Sequence, residues 1–323
     1  MAEEQNRMDL TVFSEKIQQL REEIRKVIIG QNQSVDLILT AVLANGHVLI
    51  EGVPGVAKTL TARLMARLVN AGFSRIQFTP DLMPSDVLGT TVFNMKDSEF
   101  HFHEGPVFAD IVLVDEINRA PAKTQAALFE VMEEKQVSID GTTYKMDDLF
   151  TIIATQNPVE QEGTYKLPEA QLDRFLMKIT MNYPSVTEEE QILQLHQGKR
   201  DFVKLDDIKP VISKEELIQL RRNIDDVYID PALIRYIVNI VQQTRTSKRV
   251  LLGASPRASV AMMQSAKAFA LLQGRDFVIP EDVRFVTPSI LQHRMIITAE
   301  AEMEGFTPLK VTQRLIDKVE VPK

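Results

Sequence analysis

Cysteine is absent from the 323 residues. That removes disulfides, thiolate metal sites and thiol nucleophiles from the chemistry open to the chain, and it fits a reducing compartment. Long uncharged runs are missing as well: no stretch approaches the roughly 20 apolar residues that a bilayer span requires, and the opening MAEEQNRMDL lacks the charged-then-apolar shape of a secretory leader. A soluble, cytoplasmic protein with no membrane span is expected. Nor is there a basic excess. Lys and Arg number 37 against 45 Asp and Glu, a net charge of −8, so no nucleic-acid partner is expected, although a local basic patch stays open. What is present suffices for a normal core: apolar residues make up 44 % of the chain, and its length suits about two domains.

Residues 47–59, HVLIEGVPGVAKT, run an apolar strand into a glycine-rich turn, and Lys58-Thr59 open a helix that continues as LTARLMARLV. This is the pattern of a nucleoside triphosphate cradle. Gly52 and Gly55 let the backbone curl so that successive N–H groups face phosphate oxygens, and the positive end of the following helix adds to that field. Gly52, Val53, Pro54, Gly55, Val56, Ala57, Lys58, Thr59 and Leu60 are therefore the expected nucleotide-binding residues, with Lys58 on the β and γ phosphates and the Thr59 hydroxyl on Mg²⁺. Ala57 stands where the strict pattern has glycine. A methyl in the first helical turn is expected to be a modest steric addition.

The run IVLVDE, residues 111–116, has the four apolar residues of a strand buried on both faces, followed by two carboxylates at the edge where open α/β sheets bind ligands. Asp115 suits Mg²⁺ through its water shell, and Glu116 suits activation of a water. A third apolar strand, 149–154, ends in TQNP. There Asn157 could donate to a γ phosphate and accept from the attacking water, or serve only as a turn residue before proline. In EAQLDRF, Arg174 ends a short helix before another apolar stretch, as a guanidinium offered to a neighbouring subunit would or as a surface arginine.

The ordered set GVPGVAKT, IVLVDE, ATQNP and EAQLDRF resembles the AAA+ ATPases, and with VDEINRAPAKTQAALFEVMEE it is similar to their MoxR family over nearly the whole chain. By that resemblance Gly52–Thr59 form the Walker A loop, Asp115 and Glu116 the Walker B pair, Asn157 the first sensor, Arg174 the arginine finger and Arg257 the second sensor. The resemblance also places Ile28, Ile29 and Gly30 against the adenine base. It implies ATP and Mg²⁺ as ligands and a ring of copies, expected to be a hexamer. It further implies chaperone-like remodelling with von Willebrand factor A domain proteins, in metal insertion or complex maturation. A magnesium-chelatase-like motor subunit and a nucleotide-gated scaffold of negligible turnover are the competing readings.

The expected fold is α/β. A first domain, 1–184, carries an amphipathic helix (12–28), a second helix (34–44) and a parallel sheet of five strands near 47–51, 74–79, 111–115, 149–155 and 175–180, with helices on both faces. Roughly thirty residues separate the second strand from the acid pair where a crossover needs about a dozen, so TTVFN and EFHFH are expected to form a β-hairpin. QVSID and TTYKM are expected to form another. These insertions could face a partner or simply decorate the surface. His101 and His103 lie on one side of a strand, a spacing that can ligate metal but here lacks a third ligand. A second domain, 185–323, reads as helices alone: Thr187 with Glu190 and Ser213 with Glu216 as capping boxes, Asp230-Pro231 as a helix start, and Ser255 capping a helix whose first turn holds Arg257. A solvated arginine is the plain alternative there. Whether Arg257 would meet its own or a neighbour's nucleotide stays open.

Overall fold

The computed structural model describes residues 11–158, 164–165, 167–197 and 205–322; the leader reading of MAEEQNRMDL lies outside them. The chain opens with α1 (Thr11–Arg25) and α2 (Asn32–Leu43). Phe13, Ile17, Leu20 and Ile24 of α1 are buried at helical spacing, which is why this stretch forms an amphipathic helix. It stops at Arg25, earlier than the periodicity suggests, because Ile28 continues the buried stripe from a turn rather than from the helix.

From β1 (His47–Gly52) the chain passes through the glycine turn to α3 (Lys58–Leu68), β2 (Phe73–Gln77) and a short α4 (Pro84–Leu88). The hairpin β3 (Gly89–Asn94) and β4 (Glu99–Glu104) precedes β5 (Ile111–Asp115) and α5 (Ala122–Glu134). The second hairpin, β6 (Gln136–Ile139) and β7 (Thr142–Lys145), leads to β8 (Thr151–Gln156), α6 (Glu169–Leu172) and β9 (Phe175–Met181). Both expected hairpins are present, and they meet where Phe102 packs on Tyr144 at 4.3 Å between ring centres.

Strands β2, β5, β8, β1 and β9, in that order, form one parallel sheet. Alternation splits its side chains between two buried layers. Val48, Ile50, Ile111, Leu113 and Ile153 face α1, α2, α3 and the C-terminal helices. Leu49, Val112, Val114, Ile152 and Ala154 face α5 and the hairpin side. This two-sided burial accounts for the uninterrupted apolar run of β5.

The C-terminal part comprises α7 (Val186–Gln197), α8 (Lys214–Asn223), α9 (Pro231–Thr246), β10 (Val250–Leu252), α10 (Pro256–Leu272), α11 (Pro280–Leu291), β11 (Ile296–Ile297), α12 (Ala299–Met303) and α13 (Pro308–Lys318). The expectation of helices alone is corrected by β10 and β11, which pair as an antiparallel ribbon. They are too short to show alternation in sequence. A second correction concerns α7, whose cap is Ser185 with Glu188: the Ser185 backbone N–H donates to Glu188 Oε2 at 2.7 Å and the Glu188 N–H to Ser185 Oγ at 3.4 Å. Thr187 already lies inside the helix, so the Thr187–Glu190 box is displaced by two residues. The Ser213–Glu216 box and the Asp230 cap form as expected. Ser255 occupies the N-cap position of α10, but its side chain makes no capping bond.

These helices also cover the sheet's exposed edge. Strand β9 is terminal in the sheet, and an unpaired edge invites association with another chain. Gln292, His293 and Arg294, just after α11, bond to the carbonyls of Lys178, Phe175 and Leu176.

Candidate active site at the carboxyl edge of the sheet

The glycine turn is shaped by backbone conformation. Gly55 has φ +89°, and a Cβ there would meet nothing within 4 Å, so the turn needs glycine for its torsion and not for space. Gly52 is glycine for space: a Cβ would stand 2.7 Å from the Met181 carbonyl oxygen of β9. Ala57 has φ 65° and ψ 23° and sits at the N-cap of α3. The substitution at this position is therefore a left-handed alanine, a conformational cost on the order of 1 kcal/mol, and not the small steric addition expected of a helical residue.

Lys58 opens α3 and folds back on the turn, its Nζ bonding the Gly52 carbonyl and, at 3.3 Å, that of Val53. Thr59 Oγ1 lies 3.4 Å from Asp115 Oδ2. Asp115 is buried, and its other oxygen accepts from Thr155 Oγ1 at 3.0 Å. A hydroxyl and a carboxylate turned toward one another are hard oxygen donors of the kind that hold Mg²⁺, so this pair fits the ion. Glu116 follows with φ 57°. A left-handed glutamate is strained backbone of the type that persists at functional sites. Its carboxylate accepts from Gln77 Nε2 at 2.8 Å and from Arg119 Nη1 at 3.0 Å. Asn157, also buried, follows the last residue of β8 at the same edge.

Ile29 and Gly30 lie in the turn before α2. Gly30 has φ +78°, and a Cβ there would press on the Glu188 carboxylate at 2.6 Å, so the first turn of α7 leans directly on this loop.

Arg174 and Arg257 stand elsewhere. Phe175 pairs with His47 at the start of β1, whereas the glycine turn leaves from Gly52 at its end. Arg174 is thus roughly 20 Å from the turn, at about 3.3 Å per strand residue. It contacts Glu133 at 3.7 Å and the Ala170 carbonyl at 3.3 Å. Arg257, 74 % exposed, lies 3.8 Å from Asp173 at the same remote pole. The chain therefore brings Lys58, Thr59, Asp115, Glu116 and Asn157 to one edge of the sheet and gathers the two arginines at the opposite edge.

Residues 47–177 match the model of the ATPase family associated with various cellular activities, and residues 242–319 match an AAA lid domain. The chain is 45 % identical to Chaperone MoxR1 of Mycobacterium tuberculosis over 310 residues, covering 93 % of this chain and 81 % of that protein. The chain belongs to the MoxR family of AAA+ ATPases. Protein MoxR of Methylorubrum extorquens is 30 % identical over 91 % of each chain, and the uncharacterized YeaC of Bacillus subtilis 48 % identical over 93 % of each. A solved structure from Cytophaga hutchinsonii, assigned as an ATPase, is similar at 40 % identity with a TM-score of 0.88 over 97 % of each chain.

Several residues of this MoxR-family site escape a reading by motif. Arg75 Nε donates to Asp115 Oδ2 at 2.7 Å, and Arg75 Nη2 to Gln77 Oε1 at 3.1 Å. Polar residues at alternate positions of an apolar strand were a signal, but sequence does not say that β2 lies beside β5. Asp173 binds Arg294, whose Nε is 2.6 Å from Asp173 Oδ1. Burial lowers the Arg294 pKa from the ordinary arginine value, and Asp173 opposes that shift. Nothing in sequence links positions so far apart. His101 bonds Asp97 within its own hairpin at 2.8 Å, and among the described residues no group of three metal-ligating side chains exists.

Proposed function

We propose that this MoxR-family ATPase hydrolyses Mg²⁺-ATP at sites completed by a neighbouring copy in a ring, a hexamer in our reading, and uses the resulting movement to remodel protein complexes. One observation carries the reading: the phosphate-facing residues and the arginines occupy opposite poles of one sheet. A single copy cannot bring them together, but head-to-tail neighbours in a closed ring can.

In this mechanism the backbone N–H groups of Gly52–Thr59 and the Lys58 ammonium hold the phosphates. Thr59 and Asp115 would hold Mg²⁺, which when bound neutralises phosphate charge. Glu116, released from Gln77 and Arg119, takes the proton of the attacking water, and Asn157 orients that water. Arg174 of the adjacent copy stabilises the charge that develops in transfer. Arg257, at the same pole, is read as acting on the neighbour's nucleotide too. Ile29 and Gly30 flank the base, and the close approach of Glu188 to Gly30 ties occupancy to the start of the lid.

The client side rests on the relatives. One is named a chaperone, which supports remodelling as the output. A von Willebrand factor A domain protein as partner, and maturation or metal insertion as the task, belong to the same proposal. Turnover of purified protein is the test. Glu116→Gln should retain ATP binding and lose hydrolysis by a factor of about 100 or more. Equal rates in the two proteins would remove the motor and leave a nucleotide-gated scaffold.

A further inference from the structure

Asp115 Oδ2 has two neighbours with different meanings. Thr59 Oγ1, at 3.4 Å, is the second oxygen of the metal pair. Arg75 Nε, at 2.7 Å, is a cation on the same carboxylate oxygen. A divalent ion held by Thr59 and Asp115 would compete with that guanidinium for the same carboxylate, and like charges that close repel. Arg75 is free to leave, because its side chain is 53 % exposed while Asp115 is 8 % exposed. Its Nη2 donates to Gln77 Oε1 at 3.1 Å. The same Gln77 amide donates through Nε2 to Glu116 Oε2 at 2.8 Å. Asp115, Arg75, Gln77 and Glu116 therefore form one continuous relay, running from the metal carboxylate to the carboxylate proposed to activate water.

We propose that Arg75 is a built-in counter-ion of the metal site, which neutralises Asp115 when no divalent ion is there and swings off when one binds, loosening Gln77 from Glu116 in the same movement. The inference rests on the reading of Thr59 and Asp115 as the metal pair. Physically it makes metal arrival a condition for loosening one of the two holds on the base, that of Gln77, while Arg119 Nη1 keeps its own bond to Glu116 Oε2 at 3.0 Å. Half of the Gln77 amide is anchored by Arg75, so losing that anchor weakens its hold on Glu116. By linkage, the hold on Glu116 must in turn oppose metal binding by the same factor.

The test titrates the full-length protein, saturated with ADP, with Mn²⁺ as the probe, and reads free Mn²⁺ by electron paramagnetic resonance. Arg75→Gln should tighten Mn²⁺ binding about two- to fivefold, the range of a partly exposed ion pair, with ADP affinity unchanged. Gln77→Ala should shift Mn²⁺ affinity in the same direction, and the double variant by less than the product of the two factors. Unchanged or weaker Mn²⁺ binding in Arg75→Gln would overturn the counter-ion role, and a parallel loss of ADP affinity would make Arg75 a phosphate ligand instead. Fully multiplicative effects would overturn the coupling to Glu116. Asp115→Asn separates the two readings: Mn²⁺ binding that survives it unchanged overturns the metal pair itself, whereas loss there without gain in Arg75→Gln overturns only the relay.

Discussion

Replacing Arg294 by methionine should show how tightly the lid governs the arginine pole. The guanidinium uses all five of its N–H donors: Nε on Asp173 Oδ1 at 2.6 Å, Nη1 on the Leu176 and Ile290 carbonyls at 2.9 and 2.7 Å, and Nη2 on the Asp173 and Phe175 carbonyls at 3.3 and 2.8 Å. Arg294 is 6 % exposed and Asp173 26 %. Removing one member of a buried ion pair costs about 3–5 kcal/mol, and the partial exposure of Asp173 sets the expectation near the lower end, about 3 kcal/mol. Against a total stability of about 5–15 kcal/mol this is a large fraction. A thermal melt followed by circular dichroism should show Tm lowered by roughly 5 °C. Asp173→Asn should lower Tm too, and adding it to Arg294→Met should cost little more, since the pair is already broken. Full additivity of the two substitutions, or a Tm within about 1 °C of the parent for Arg294→Met, would refute the reasoning. Because Arg174 directly follows Asp173, the same variant should also lower ATP turnover more than ATP affinity.

Acid should destabilise the fold through its buried histidines. The Ile152 N–H donates to His47 Nδ1 at 2.9 Å, and His47 Nε2 donates to the Met132 carbonyl at 3.2 Å, so the ring is held neutral. Burial pulls its pKa down to about 4, and burial acts the same way on His293. Below about pH 6.5 the unfolded chain binds protons that the fold refuses, so stability falls from there toward pH 4, by roughly 3 kcal/mol for His47 alone. His47→Gln should flatten the dependence of Tm on pH across that window, and an unchanged slope would count against it. At the start of α7, Ser185→Ala should cost about 1 kcal/mol by urea denaturation while Thr187→Ala costs far less. The reverse order would restore the cap to Thr187.

The legible parts of this protein were those written in contiguous residues. The glycine turn, the acid pair after IVLV and both hairpins stand in one stretch each, where spacing and turn chemistry decide the outcome. Contacts between distant segments were not legible. Arg75 over Asp115 depends on which strands are neighbours, and the Asp173–Arg294 pair joins the sheet to the lid. The Ala57 torsion was invisible too, since the residue type alone suggests a helical position. The two-residue displacement of the α7 cap has a local cause: SVTEEE offers two hydroxyl and glutamate pairs at the same spacing, Ser185 with Glu188 and Thr187 with Glu190, and spacing alone does not choose between them.

The central claim, a catalytic site shared between copies, is tested most directly by mixing two inactive variants. Glu116→Gln lacks the base but keeps Arg174, and Arg174→Ala lacks the guanidinium but keeps Glu116. Dissociated together and reassembled, the two should regain ATP turnover that neither has alone, because some interfaces then combine an intact Glu116 with a neighbour's intact Arg174. Mixed assemblies that bind ATP and stay inactive, or a separated single copy of Arg174→Ala that hydrolyses at the full rate, would contradict the account.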